Sequence, residues 1–251
     1  MEPSEQAIAE HAGQIAHVIR STAVDPSPFP HLQMQPLLPA PLYDSLIEID
    51  IAKEAMQGAP YGVAGTESER NRLSLVYTGA DLREGRISEP AFANAYRILG
   101  HSLVRDAFFA VFGSELAGKY GRSPLRLDTS FTYVEDSTGY ELLPHTDSHS
   151  KAITLLIYLP RPGDDATLGT CLYRPKDERL YYAEYPSQAR HRIEQFHPVC
   201  TVPFRANQAV AFAPSKRTFH GVPPVHQGDR TRRLIQFQII AEPAGAPGSP
   251  A

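Results

Sequence analysis

Two cysteines in 251 residues are too few to define a disulfide framework, and neither Cys171 nor Cys200 has the CxxC spacing of a redox or zinc site. Both sit in apolar, strand-like runs, where a buried free thiol is the plain reading. A basic excess is also missing. Lys and Arg number 24 against 28 Asp and Glu, a net charge of -4, so no global positive field marks nucleic acid or an anionic membrane as a partner. No stretch approaches the roughly 18 to 20 apolar residues that span a bilayer. The first residues, MEPSEQAIAEHAGQ, include acidic side chains and lack the unbroken apolar core of a leader, which makes the cytoplasm the expected location. No internal repeat is present.

What is present is an ordinary globular composition, 42% hydrophobic and 21% charged, with 23 prolines that favour loops and strand edges over long helices. The length suits one domain with one substantial core. Ile8, Ala12, Ile15 and Ile19 recur at helical spacing and predict a short amphipathic packing helix over 5–20, ahead of the Pro-rich stretch 25–30. A second helix is predicted from an N-cap at Ser88, through Phe92, Tyr96, Leu99, Leu103 and Phe108, to near Gly113. That stripe reads as core. From Pro124 onward seven β-rich runs follow one another: LRLDTSFTYV, AITLLIYLP, TCLYRP, HPVCTVPF, QAVAFAP, FHGVPPV and RRLIQFQII. Their number and spacing predict a sandwich or jelly roll. Residues 52–87 carry no clear pattern. The expected organisation is a helix and linker over 1–28, one domain over 29–241 and a disordered Pro, Gly and Ala-rich tail over 242–251.

The stretch richest in chemistry is LPHTDSHSK, at 143–151, directly before the strand AITLLIYLP. In an extended chain side chains repeat every two residues, so His145 and Asp147 point the same way and can grip one ion. Taken alone such a pair is weak, because most H-x-D pairs bind nothing. A third ligand has to come from a distant strand, and His191, His197, His220 and His226 are the downstream candidates. His220 is favoured, since it lies in the β-rich run FHGVPPV that leads into the last strand. Two His and one carboxylate on one face of a metal, with the other positions open, is the arrangement associated with non-haem iron(II) oxygenases. A structural zinc site would close its fourth position, usually with cysteine. Beyond His220, Arg230, Arg232 and Arg233 open the final strand. A guanidinium holds a carboxylate through two parallel hydrogen bonds, which suits the far end of a dicarboxylate cosubstrate.

With H-T-D at 145–147, H-G-V-P-P-V at 220–225 and G-D-R-T-R-R at 228–233, the chain resembles the 2-oxoglutarate and iron(II)-dependent oxygenases, in their prolyl-4-hydroxylase-like branch. The likeness runs from about Phe29 to Ile240, where PFPHLQMQPLLPAPLYDSLIE is similar to the strand-then-helix entry common there. The resemblance implies a mainly β protein with flanking helices, built on a double-stranded β-helix, the cupin-like jelly roll. It implies Fe(II) held by His145, Asp147 and His220, with 2-oxoglutarate and O2 as co-reactants. Succinate and CO2 are the implied by-products, and hydroxylation of a C–H bond in a small molecule, peptide or glycan-type substrate is the usual outcome. Halogenation is disfavoured, because family halogenases leave the carboxylate position free and Asp147 fills it here.

The resemblance also implies an arginine anchor for the cosubstrate and a contact from Tyr133, which resembles a tyrosine that touches it in relatives but reads equally as an ordinary strand aromatic. The anchor lies ten residues after His220 if it is Arg230 and twelve if it is Arg232. Relatives place apolar residues three and five positions after the anchor. That gives Ile235 and Phe237 from Arg232 but Arg233 and Ile235 from Arg230. A charge at that first position would face the apolar layer, which favours Arg232. His149, a third imidazole on the same side, is not required by the family and is read as a solvated loop residue rather than a substrate contact. Two other classes share the ligands: a non-catalytic jelly-roll binding protein, and a cupin-like zinc or manganese enzyme without cosubstrate. The arginine strand separates them from the oxygenase.

Overall fold

The computed structural model describes residues 3–58, 71–121, 123–183, 188–225 and 231–244. Among these, no helix is long and apolar enough to cross a membrane. The chain opens with α1 (Glu5–Ser21), β1 (Leu32–Met34), α2 (Ala40–Ile47), β2 (Gln57–Gly58) and β3 (Arg72–Thr78). Four helices follow: α3 (Gly79–Arg83), α4 (Pro90–Leu99), α5 (Ser102–Val111) and α6 (Gly113–Tyr120). The remainder is strand: β4 (Leu125–Asp136), β5 (Leu142–His145), β6 (Lys151–Tyr158), β7 (Cys171–Pro175), β8 (Phe196–Thr201), β9 (Ala209–Phe212), β10 (His220–Val222) and β11 (Arg232–Pro243). The strands form a larger sheet, ordered β1-β9-β6-β11-β4-β3-β2, and a smaller one, ordered β5-β10-β7-β8.

All pairings in both sheets are antiparallel. Two hydrophobic layers result. On one face of the larger sheet, Phe131, Ile153, Leu155, Ile235 and Phe237 pack with Ile8 and Ile15 of α1, Phe92 of α4 and Phe108 of α5. The other face turns Val134, Leu156, Tyr158 and Leu234 toward Leu172 and Val222 of the smaller sheet. All eight residues of β6 are buried, because helices cover one of its faces and the second sheet the other. A strand buried on both faces loses apolar–polar alternation, which explains why β6 is apolar apart from Lys151 and Thr154. The architecture is the double-stranded β-helix, with helices on one side.

α1 forms where the spacing predicts it, capped by Ser4, whose Oγ accepts from the Ala7 amide. Each fully buried isoleucine on its inner face contributes on the order of 1.5–3 kcal/mol. The helix expected from Ser88 to near Gly113 is instead α4 and α5. Glu89, not Ser88, caps α4, and His101 leaves the helix in an extended conformation, its Nδ1 accepting from the Leu103 amide. That break resets the helical phase. Phe92, Tyr96, Leu99 and Phe108 are buried as expected, while Leu103 is exposed. The unpatterned segment 52–87 supplies β2, β3 and α3, apart from 59–70, which lie outside the described residues. β11 extends through Pro243, so Glu242 belongs to the sheet; of the expected tail, 245–251 lie outside the described residues.

Candidate metal centre

His145 ends β5 and His220 opens β10, and the two strands pair with these residues directly opposite. Opposed residues of an antiparallel pair share a face, and the rings sit with centroids 4.4 Å apart. The close approach depends on Gly221, where a Cβ would stand 2.3 Å from the Leu142 carbonyl oxygen. Asp147 lies in the turn after β5, with its Oδ2 3.8 Å from His220 Nε2. One ligand atom from each of His145, Asp147 and His220 lies within 4.8 Å of the others, and all three residues are buried.

The tautomers follow from the backbone. His145 Nδ1 is 3.1 Å from the Leu143 carbonyl oxygen and His220 Nδ1 is 2.9 Å from that of Thr218. A carbonyl can only accept, so each Nδ1 carries the proton and each Nε2 keeps a lone pair for a metal. Burial holds His145 well below the usual imidazole range, reinforced by His220 and Arg190, and it lowers His220 too. Burial alone would raise Asp147, but the Lys151 ammonium, the largest opposing cause, holds its carboxyl below the ordinary range. Two neutral imidazoles and one carboxylate are the protonation states in which such a set binds metal. With no cysteine in the group and three donors on one side, the residues fit a divalent ion with open positions.

The triad opens into a cavity also lined by Arg232, Arg72, Thr170 and Lys151, with Leu156, Val222 and Leu234 as apolar wall. Gln188 and Arg190 reach it from the loop before β8, which is tied to β5 by the His191 amide donating to the Pro144 carbonyl. Arg232, Leu234 and Gln236 alternate along β11 toward the cavity, leaving Arg233, Ile235 and Phe237 to the helix side. Arg232 is 1% exposed and donates to Leu168 O at 2.5 Å, to Asp136 Oδ2 at 2.7 Å and to Thr170 Oγ1 at 3.3 Å. Arg72 also grips Asp136, through Nε at 2.6 Å and Nη2 at 2.9 Å.

The structure therefore brings together His145, Asp147, His220 and Arg232, while Arg230 and His226 lie outside the described residues. Tyr133 requires a correction. Its ring packs 5.0 Å from Phe92 on the helix side and its hydroxyl donates to Glu135, because its parity on β4 puts it on the face opposite the cavity. His149 is exposed in the turn before β6 and outside the ligand group. His191 packs edge-on against Phe219 and Phe196, and His197 is exposed. Arg72, Asp136, Lys151 and Thr154 escaped the sequence reading. A lysine opening an otherwise apolar strand, four residues after Asp147, was the available signal.

The fold is a double-stranded β-helix whose smaller sheet and the segment after β5 bring two His and one carboxylate together in an arrangement that could hold a divalent metal. No family model matches the chain, and no curated protein matches it in sequence. Solved structures match it in fold. A Pseudomonas putida prolyl-4-hydroxylase is similar at a TM-score of 0.52 and 14% identity, over 91% of this chain and 98% of that one. SnoN, a non-haem α-ketoglutarate-dependent epimerase from nogalamycin biosynthesis, is similar at a TM-score of 0.50 and 17% identity, over 94% of this chain and 82% of that one. The chain has the fold of the 2-oxoglutarate and iron(II)-dependent oxygenases.

Proposed function

We propose that the protein is a 2-oxoglutarate and iron(II)-dependent oxygenase acting on a C–H bond of a small-molecule or peptide substrate. The observation that carries this reading is the buried, one-sided set of His145, Asp147 and His220 in a cavity shared with Arg232. The triad would hold Fe(II), and Arg232 would take the far carboxylate of 2-oxoglutarate. With both bound, the centre supplies the O2-dependent decarboxylation that drives C–H cleavage and yields succinate and CO2. The protein's own part is to place the substrate and exclude water, and the apolar wall of Leu156, Val222 and Leu234 serves the second task. Hydroxylation is the proposed outcome. The similar solved structures include both a hydroxylase and an epimerase, so product analysis belongs in the test.

The experiment is succinate formation from 2-oxoglutarate under air with added iron(II), paired with anaerobic titration of 2-oxoglutarate into the iron-loaded protein. Succinate and a weak visible charge-transfer band are expected, and Asp147→Ala abolishes both. Tight zinc binding with no response to 2-oxoglutarate would instead identify a cupin-like or non-catalytic metal protein.

A further inference from the structure

Lys151 opens β6, and its ammonium donates to Asp147 Oδ1 at 2.6 Å with both side chains buried. Thr154, further along the same strand, donates to Oδ2 at 2.7 Å, and Oδ2 is the oxygen that lies 3.8 Å from His220 Nε2. The two carboxylate oxygens are therefore unequal. One faces the imidazoles, and the other is engaged by a cation that also lines the cavity.

We propose that Lys151 is a positioning residue that restricts Asp147 to one-oxygen ligation and so keeps a coordination position open for the keto acid. The inference rests on the oxygenase reading above. A carboxylate released from Lys151 is free to ligate through both oxygens and occupy that position. The ammonium has a second effect, since its charge repels a metal dication and attracts an anionic cosubstrate in a site sheltered from water. Removing it acts oppositely on the two ligands. Metal binding is preserved or tightened, whereas 2-oxoglutarate binding is weakened.

Cobalt(II) serves as the probe, because its visible absorption reports coordination number. Wild type, Lys151→Met and Lys151→Arg are each titrated with cobalt(II), and the loaded proteins are then titrated with 2-oxoglutarate. Lys151→Met is expected to bind cobalt at least as tightly as wild type, to within about threefold, with a changed spectrum, while its 2-oxoglutarate dissociation constant rises roughly 10- to 100-fold. Lys151→Arg restores most of that loss. A 2-oxoglutarate constant within about twofold of wild type in Lys151→Met overturns the proposal, given the size of outer-sphere effects. So does parallel loss of cobalt and 2-oxoglutarate, which marks a merely structural lysine. A wild-type protein that binds cobalt but never 2-oxoglutarate removes the oxygenase reading and this inference with it, whereas a normal wild type beside an insensitive Lys151→Met removes the inference alone.

Discussion

Arg232 is almost completely enclosed, yet its counter-charge is shared, because Asp136 Oδ2 accepts from both Arg232 and Arg72. A carboxylate arriving beside Arg232 therefore meets a guanidinium whose charge is only partly offset. Losing one partner of a desolvated charge pair costs about 2 to 5 kcal/mol, so Arg232→Ala is expected to raise the 2-oxoglutarate dissociation constant roughly thirtyfold to several-thousandfold. Calorimetric titration checks this, with a thermal melt to show that the variant folds. A constant within a few fold of wild type, with Arg230→Ala showing the large rise, would move the anchor to Arg230. An anchor at Arg230 would put the Arg233 charge three residues on, against the apolar layer, where an unpaired charge is costly. Arg233 is nevertheless there, 1% exposed, opposite Glu135 in register, with no hydrogen-bond partner for its guanidinium among the described residues. Its burial accompanies Arg232 facing the cavity, so it cannot discriminate between the two anchors. The His145, Asp147 and His220 cluster was legible as a candidate because two-residue spacing at the end of β5 sets His145 and Asp147 on one side, although Asp147 itself lies just beyond the strand. The two readings of Tyr133, cosubstrate contact and ordinary strand aromatic, could not be separated from sequence because a two-residue repeat does not say which face is which.

At the level of elements, the site depends on how closely β5 and β10 approach. Gly221→Ala would set its Cβ against the Leu142 carbonyl, which is backbone and cannot rotate away, so the strands must separate at the point where His145 and His220 face each other. The expected result is a loss of metal affinity larger than the loss of stability, because overpacking of this kind costs typically about 1–3 kcal/mol globally while ligand geometry tolerates little displacement. Iron(II) or cobalt(II) titration against the variant's melting temperature checks it, and unchanged metal binding would show that the strands absorb the methyl elsewhere. The glycine was visible in the sequence, but the neighbouring carbonyl was not, because strand pairing across seventy-odd residues carries no local signal. The same limit explains other gains and losses. Seven β-rich runs were readable because turn residues bound them, and they became β4 and β6 to β11. β3 was not, although it brings Arg72 against Asp136, and the helix break at His101 was hidden inside an apolar stripe continuous through it.

Across the whole molecule, Lys119 of α6 links the helix layer to the end of the sheet next to the candidate site, its Nζ donating to the Lys151 carbonyl at 2.6 Å and to that of Pro214 at 2.9 Å. These bonds fasten a helix to the start of β6 and to the segment after β9. Burial is the main cause that pushes the Lys119 ammonium down to about 8 from 10.5; Lys151 adds to the shift and Asp147 opposes it. Between those two values the unfolded chain holds a proton that the folded chain releases, so this group makes stability rise with pH across that window. Below about 8 both states are protonated and the whole penalty of burying the charge remains. Lys119→Met has no such group. Raised tyrosines such as Tyr96, pushed up to about 12, act in the opposite sense at higher pH but are common to both proteins and cancel in the comparison. The stability of wild type relative to Lys119→Met is therefore expected to grow as pH rises from about 8 to about 10, read as a widening gap between melting temperatures in matched buffers. Parallel melting curves across that window would show that burial does not penalise the Lys119 ammonium in the folded protein.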